Sequence, residues 1–191
     1  MISQIIGKVI SNNGSDVVLS TAGGVGYKIA VSPKAIELCL VGKDVSLETY
    51  LVVREDALDL FGFANNSERE LFKNCLSVSG IGPKSALNIL KLGSVEEITL
   101  AIARGDIGYL TKVSGIGKKT AERLVVELRG KAAKGLSEED LVKPAGVLGD
   151  VVEALMTLGY SAEVARDVAK SLKQEGKTSE QLLREALKMM K

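Results

Sequence analysis

The chain has 191 residues, of which 46% are hydrophobic and 26% charged, with a net charge of +1 and no histidine. Its apolar runs, such as residues 47–53, are short and interrupted, so we expect no signal peptide, no transmembrane segment and a cytoplasmic location. Because histidine is the commonest general base and metal ligand, its absence disfavours an enzyme, and we expect no catalytic residue, no metal site and no cofactor.

Residues 1–64 are predicted to form a small β-barrel. Short β-rich runs alternate there with turn residues such as Asn13-Gly14. The predicted strands are residues 2–10, 16–20, 25–31, 45–53 and 58–63. Between the last two strands, Arg54-Glu55-Asp56-Ala57 predicts a charged hairpin tip with two adjacent carboxylates. Acidic residues at a tip can simply favour the turn, and two carboxylates without histidine make a weak metal site.

Residues 65–130 contain the same eight-residue phrase twice, at 79–86 and 114–121. Six of the eight positions are identical and the copies are 35 residues apart, which indicates one structural unit used twice. A capping box beginning at Ser67 predicts a helix before the first copy, and an apolar stripe predicts a helix from about Lys118 onward. Gly-Ile-Gly supplies a tight turn, so each unit is predicted to be a helix, a hairpin and a helix.

The hairpins are predicted to bind the DNA backbone. A helix N-terminus offers unpaired N–H groups and a positive dipole end, and glycines let a phosphate come close. Basic side chains on the following helix extend that contact, and none of these groups reads a base edge. Charge supports this interpretation, since residues 65–131 hold 11 basic and 7 acidic residues. The predicted DNA-binding residues are Arg54, Gly80, Gly82, Lys84, Gly115, Gly117, Lys118, Lys119 and Arg123.

The repeat has two other interpretations. Gly-x-Gly could simply end one helix and start another in an ordinary bundle, with the nearby lysines in solvent. The presence of a second copy with lysine at the same offset argues against this interpretation. The sequence Gly117-Lys118-Lys119-Thr120 is similar to a nucleotide P-loop, but that motif needs a glycine where Lys112 stands. We therefore expect no ATP binding.

After residue 130 the composition changes, which predicts a flexible linker over residues 131–149. Residues 150–191 are predicted to form a separate domain of three short amphipathic helices. Such a small domain builds only a marginal core, so part of its apolar surface is available to a partner. The predicted partner contacts are Leu155, Met156, Leu158 and Tyr160; the alternative is that the first three are core residues.

Several segments, in one order, resemble the RuvA family of bacterial Holliday-junction-binding subunits over the full chain. They are residues 1–9, the tip 54–57 with residues 60–63, both hairpins, residues 117–124 and residues 158–160. The resemblance implies an α+β multidomain protein with an N-terminal OB-fold β-barrel, a tandem helix-hairpin-helix domain, a flexible linker and a C-terminal three-helix (UBA-like) domain.

The resemblance also implies a function. It implies a non-catalytic scaffold that binds four-way DNA junctions by their structure, holds them open and square, and recruits the ATPase RuvB for branch migration in recombination and repair. It implies a homotetramer, with one or two tetramers on the junction, and the RuvC resolvase as a further partner. In a four-fold ring the tips, each an acidic pin of Glu55 and Asp56, would meet on the axis and repel phosphates.

Two competing function classes remain. A structure-specific nuclease or glycosylase also uses helix-hairpin-helix elements, but it needs a catalytic Asp or Lys in a pocket, or a carboxylate cluster for Mg²⁺, and neither can be assembled from this sequence. A monomeric single-strand binder built on the barrel would stack bases on aromatic residues, and these are only 4% of the chain.

Overall fold

The N-terminal part of the chain folds into a closed five-stranded barrel. The computed structural model describes residues 2–134, 147–172 and 177–189. The barrel elements are β1 (Gln4–Asn12), β2 (Asp16–Ser20), β3 (Gly26–Val31), α1 (Pro33–Leu38), β4 (Asp44–Val53) and β5 (Leu58–Phe63). The strands close in the order β1-β2-β3-β5-β4, and β3 and β5 form the one parallel pair in the described barrel. This arrangement confirms the predicted OB-fold barrel.

Apart from one-residue differences at the starts of β3 and β4, the barrel differs from the sequence prediction in the ends of β1, which begins at Gln4, and in one missed helix. β1 continues past residue 10, because a register shift between Val9 and Ser11 keeps the strand paired with β2. Sequence reasoning missed α1, which begins where the Ser32 hydroxyl accepts a hydrogen bond from the Ala35 N–H at 3.2 Å. The serine is followed by Pro33 at the first helical position, a start signal that could have revealed this helix.

The next five helices form the helix-hairpin-helix domain. They are α2 (Asn66–Leu76), α3 (Pro83–Ile89), α4 (Val95–Arg104), α5 (Ile107–Leu110) and α6 (Lys118–Ala132). The predicted capping box at Ser67 is wrong, because the cap is Asn65, whose side chain accepts a hydrogen bond from the Glu68 N–H at 3.0 Å. α6 begins at Lys118 as predicted and continues past residue 130 to Ala132.

Two side chains on α2 join this domain to the barrel. The buried Glu68 carboxylate accepts hydrogen bonds from the Ser32 hydroxyl at 2.7 Å and from the Ala64 N–H at 2.9 Å. The Phe72 ring is fully buried, and its centroid lies 5.0 Å from that of Phe63 at the end of β5. Because these contacts form one continuous core, the first hairpin keeps a fixed position relative to the strands β4 and β5.

The C-terminal domain is a three-helix unit with its own core. Its helices are α7 (Val147–Thr157), α8 (Ala162–Ser171) and α9 (Ser179–Met189). Its buried side chains are Val151, Val152, Leu155, Ala165, Ala169, Leu172, Leu182 and Ala186. Most of the predicted linker, residues 135–146, lies outside the described residues. Within the described ranges, no helix is long and apolar enough to cross a membrane.

The two cysteines are core residues. Cys39 in the barrel and Cys75 on α2 are both buried, free thiols. Burial raises the pKa of the Cys75 thiol to about 12 and also raises the pKa of the Cys39 thiol. Both side chains therefore stay neutral near pH 7 and pack as small apolar groups.

Candidate nucleic-acid interface

The first hairpin joins α2 to α3 in a tight, well-anchored turn. Gly80 has a φ of +90°, a left-handed conformation that favours glycine. The next side chain, Ile81, is only 6% exposed, and its N–H donates to the Val78 carbonyl at 3.1 Å. Gly82 then precedes α3 as its N-terminal cap in extended conformation, with φ −86° and ψ 171°. The buried isoleucine fixes the turn to the core while both glycines stay at its surface.

The second hairpin, which joins α5 to α6, has the same conformation 35 residues later. Gly115 also has a φ of +90°, and Ile116 is 5% exposed. The Ile116 N–H donates to the Val113 carbonyl at 3.3 Å, and Gly117 caps α6 with φ −83° and ψ 169°. The repeat seen in the sequence is therefore a repeat of backbone geometry, as predicted.

The two hairpin helices begin differently from other helices of the protein. In α1, α2, α4, α5 and α8 a side chain accepts a hydrogen bond from a first-turn N–H; these caps are Ser32, Asn65, Ser94, Asp106 and Ser161. In α3 and α6 the cap is glycine, and no side chain accepts such a bond. The first-turn N–H groups of these two helices are thus left for another acceptor, and the helix dipole favours an anionic one. A phosphate oxygen fits this description.

Three predicted lysines surround these uncapped helix ends. Lys84 lies in the first turn of α3, and Lys118 and Lys119 open α6. All three side chains are exposed, and none forms an ion pair with another described residue. Their charges are available to an anion from outside the chain.

Arg123 has a contact that the sequence did not predict. Its guanidinium Nη1 donates a hydrogen bond to the Ser79 carbonyl of the first hairpin at 2.9 Å, although 44 residues separate the two. The side chain remains exposed on α6, four residues after Lys119. Arg123 therefore lies between the two hairpins, and one edge of its guanidinium is used in a hydrogen bond within the protein.

The predicted acidic tip is a tight hairpin between β4 and β5. The Arg54 N–H donates to the Ala57 carbonyl at 2.8 Å, and Glu55 and Asp56 between them are exposed. The Arg54 guanidinium, predicted to contact DNA, forms an ion pair with Asp59 on β5. Within the described ranges, no three or more Asp, Glu or Cys side chains gather where they could hold a metal ion. The tip presents two carboxylates to solvent.

The predicted partner surface of the C-terminal domain needs one correction. Leu155 is completely buried, because it continues the inward-facing stripe of Val151 and Val152 on α7, so it cannot contact a partner directly. Its neighbours Met156 and Leu158 are 46% and 59% exposed. Among the described residues of this domain, the exposed large apolar side chains are Met156, Leu158, Tyr160, Val164 and Met189. Val164 and Met189 were not predicted.

Family matches cover most of the chain. The RuvA N terminal domain matches residues 1–62, and the RuvA C-terminal domain matches residues 146–191. The chain belongs to the RuvA family. Between these two RuvA domains, the SAM-like Helix-hairpin-helix tandem matches residues 72–131, which contain both hairpins.

Members of the RuvA family match this chain over nearly its whole length. It is 42% identical to the Holliday junction branch migration complex subunit RuvA of Chloroflexus aggregans, over 98% of this chain and 97% of the relative. It is 42% identical to the protein of the same name from Lactococcus lactis subsp. cremoris strain SK11, over 100% and 99%. With that from Pasteurella multocida it shares 40% identity over 98% of both chains.

Proposed function

We propose that this chain is a non-catalytic subunit that binds four-way (Holliday) DNA junctions and serves branch migration in recombination and repair. The observation that carries the proposal is the pair of hairpins with equal backbone geometry, each leading into an uncapped helix beside exposed lysines. Two such sites suit two points on a DNA backbone. The relatives, named as subunits of a Holliday junction branch migration complex, support the same substrate.

Recognition in this proposal uses the shape and charge of DNA. The hairpin N–H groups and the lysines Lys84, Lys118 and Lys119 face phosphates, which are alike in every DNA sequence. Base readout requires side chains that reach the donor and acceptor pattern of the base edges in a groove, and the proposed contacts reach only the backbone. The protein would select a junction by the relative positions of its arms.

The acidic tip acts where the arms meet. A homotetramer would match four DNA arms with four copies of the chain, and each copy would bring one tip to the four-fold axis. The carboxylates of Glu55 and Asp56 from all copies would then repel the phosphates at the crossover. Attraction at the hairpins and repulsion at the tips would together hold the junction open and square.

The C-terminal domain recruits the motor in this proposal. Four exposed apolar side chains support a protein contact, and the proposed partner is the ATPase RuvB. They are Met156, Leu158, Tyr160 and Val164. Because RuvB would hydrolyse ATP, this chain would need no cofactor of its own. The RuvC resolvase is a further proposed partner, and the proposed location is the cytoplasm.

Native mass spectrometry and junction titration test the proposal together. A homotetramer of a 20.2 kDa chain has a mass of about 81 kDa. We expect this mass in solution, and we expect tighter binding to a four-way junction than to a duplex of the same arm sequences. A monomer that binds single strands best would support the single-strand-binding alternative, and cleavage of the junction in Mg²⁺ would support a nuclease.

A further inference from the structure

The two halves of the repeat hold each other through equivalent residues. Arg123 Nη1 on α6 donates to the Ser79 carbonyl at 2.9 Å. Asn88 Nδ2 on α3 donates to the Ser114 carbonyl, with a longer distance of 3.5 Å. Ser79 and Ser114 are separated by 35 residues, and so are Asn88 and Arg123. Each helix therefore reaches the hairpin of the other copy from the same position in the repeat.

The packing around the hairpin glycines shows the same reciprocal contact between the two copies. A Cβ atom added to Gly115 would lie 3.2 Å from Ser85 Oγ on α3, which is tighter than most Cβ contacts. A Cβ atom added to Gly80 would lie 3.7 Å from Arg123 Nη1 on α6. Each left-handed glycine thus faces the helix of the other copy, so the two copies of the repeat are in reciprocal contact.

The two hydrogen-bonded carbonyls occupy equivalent positions in the two turns. Ser79 and Ser114 immediately precede the left-handed glycines. In a trans peptide the carbonyl and the following N–H point to opposite sides, so holding the serine carbonyl also fixes the direction of the glycine N–H. The Asn88 and Arg123 side chains therefore fix the orientation of the peptide groups that lead into the uncapped helices.

We propose that Asn88 and Arg123 are positioning residues that hold the two hairpins at a fixed spacing, so that both engage the backbone of one DNA arm together. This inference rests on the proposed function. A protein whose two sites are already in place binds with higher apparent affinity than one that must first order them. Asn88 is uncharged, so its loss removes no cation from the DNA interface and should leave the salt dependence of binding unchanged.

Hydrogen–deuterium exchange of the DNA-free, full-length chain tests the positioning role directly. In Asn88→Ala we expect faster amide exchange in residues 112–121, which belong to the other copy, than in the wild type. In Arg123→Met, which keeps the apolar stem, we expect faster exchange in residues 77–86. Lys91→Ala is the matched control for Asn88, because Lys91 lines the same groove of about 310 Å³ without bonding Ser114, and it should leave both peptides unchanged.

Junction titrations at several salt concentrations give the second readout. We expect Asn88→Ala to weaken binding by roughly three- to tenfold, the equivalent of one net hydrogen bond. Its slope of log affinity against log salt should equal that of the wild type, because the phosphate contacts remain once the hairpins are ordered. By contrast, a variant that loses one phosphate contact should lower that slope by about 0.9.

Specific results would overturn the inference. If exchange rises only in the mutated copy, or in neither, the cross-copy contacts do not position the hairpins. If Arg123→Met lowers the salt slope by about 0.9 and leaves exchange in residues 77–86 unchanged, Arg123 is a phosphate ligand and not a positioning residue. A wild-type protein without junction preference would contradict the proposed function instead, and the exchange result would be unaffected.

Discussion

Replacing Lys118 and Lys119 by alanine is expected to weaken junction binding equally for all DNA sequences and to flatten its salt dependence. Both side chains are exposed at the start of α6 and form no ion pair with another described residue. Each lost phosphate contact removes about 0.9 from the slope of log affinity against log salt, so the two together remove about 1.8. When salt is raised from about 50 to about 200 mM, the fold loss of affinity should therefore be roughly ten times smaller in the variant than in the wild type.

Fluorescence anisotropy of a labelled four-way junction, titrated at four salt concentrations, measures this slope. Lys43→Ala is the matched control, because Lys43 is equally exposed but precedes β4 in the barrel, and it should leave the slope unchanged. An unchanged slope in the double variant would refute the assignment of these lysines as phosphate contacts. A loss of affinity that depends on the arm sequence would refute binding by shape and charge.

Three further predictions concern the core, the tip and the C-terminal domain. Phe72→Ala should lower the free energy of unfolding in urea by about 3–5 kcal/mol, and Phe72→Leu by less; a loss below about 1 kcal/mol would contradict a core shared with the barrel. The double variant Glu55→Gln, Asp56→Asn should keep or raise junction affinity, and it should reduce strand separation at the crossover, measured as lower 2-aminopurine fluorescence. If its junction affinity instead collapses, and Mg²⁺ restores affinity only in the wild type, the tip is a metal site. A chain ending after Lys134 should keep its oligomeric state and junction affinity but no longer stimulate the RuvB ATPase; loss of the oligomer would show that the C-terminal domain contributes to assembly.

The features that the sequence predicted best have local signals. Strands such as Asp16–Ser20 and Leu58–Phe63 follow from β-rich runs between turn residues, and the structure has the same bounds. The hairpin helix at Lys118 follows from glycine before a 3.6-residue apolar period. In each case the information lies within about ten residues, which is the range over which propensity and periodicity act.

The features that the sequence could not predict join distant residues. Glu68 lies in the first turn of α2, yet its carboxylate is buried against Ser32, 36 residues earlier. Arg123 has the pattern of an exposed basic residue, but it also bonds the Ser79 carbonyl. For Leu155 the apolar spacing allows either core or surface, and the packing of three helices decides for the core. No local pattern contains these pairings.

The connection between the tip and the first hairpin explains how one chain could both repel and hold DNA. From the tip the chain runs as β5, a corner at residues 64–65 and α2, and the corner is fixed because the Ala64 N–H donates to the buried Glu68 carboxylate. Phe61 and Tyr50 pack on Phe72, with ring centroids 5.1 and 5.7 Å away. Moving the hairpin relative to the tip would open this core at a cost of several kcal/mol. Under the proposed function, repulsion at the crossover would therefore separate the DNA strands and leave the protein in place.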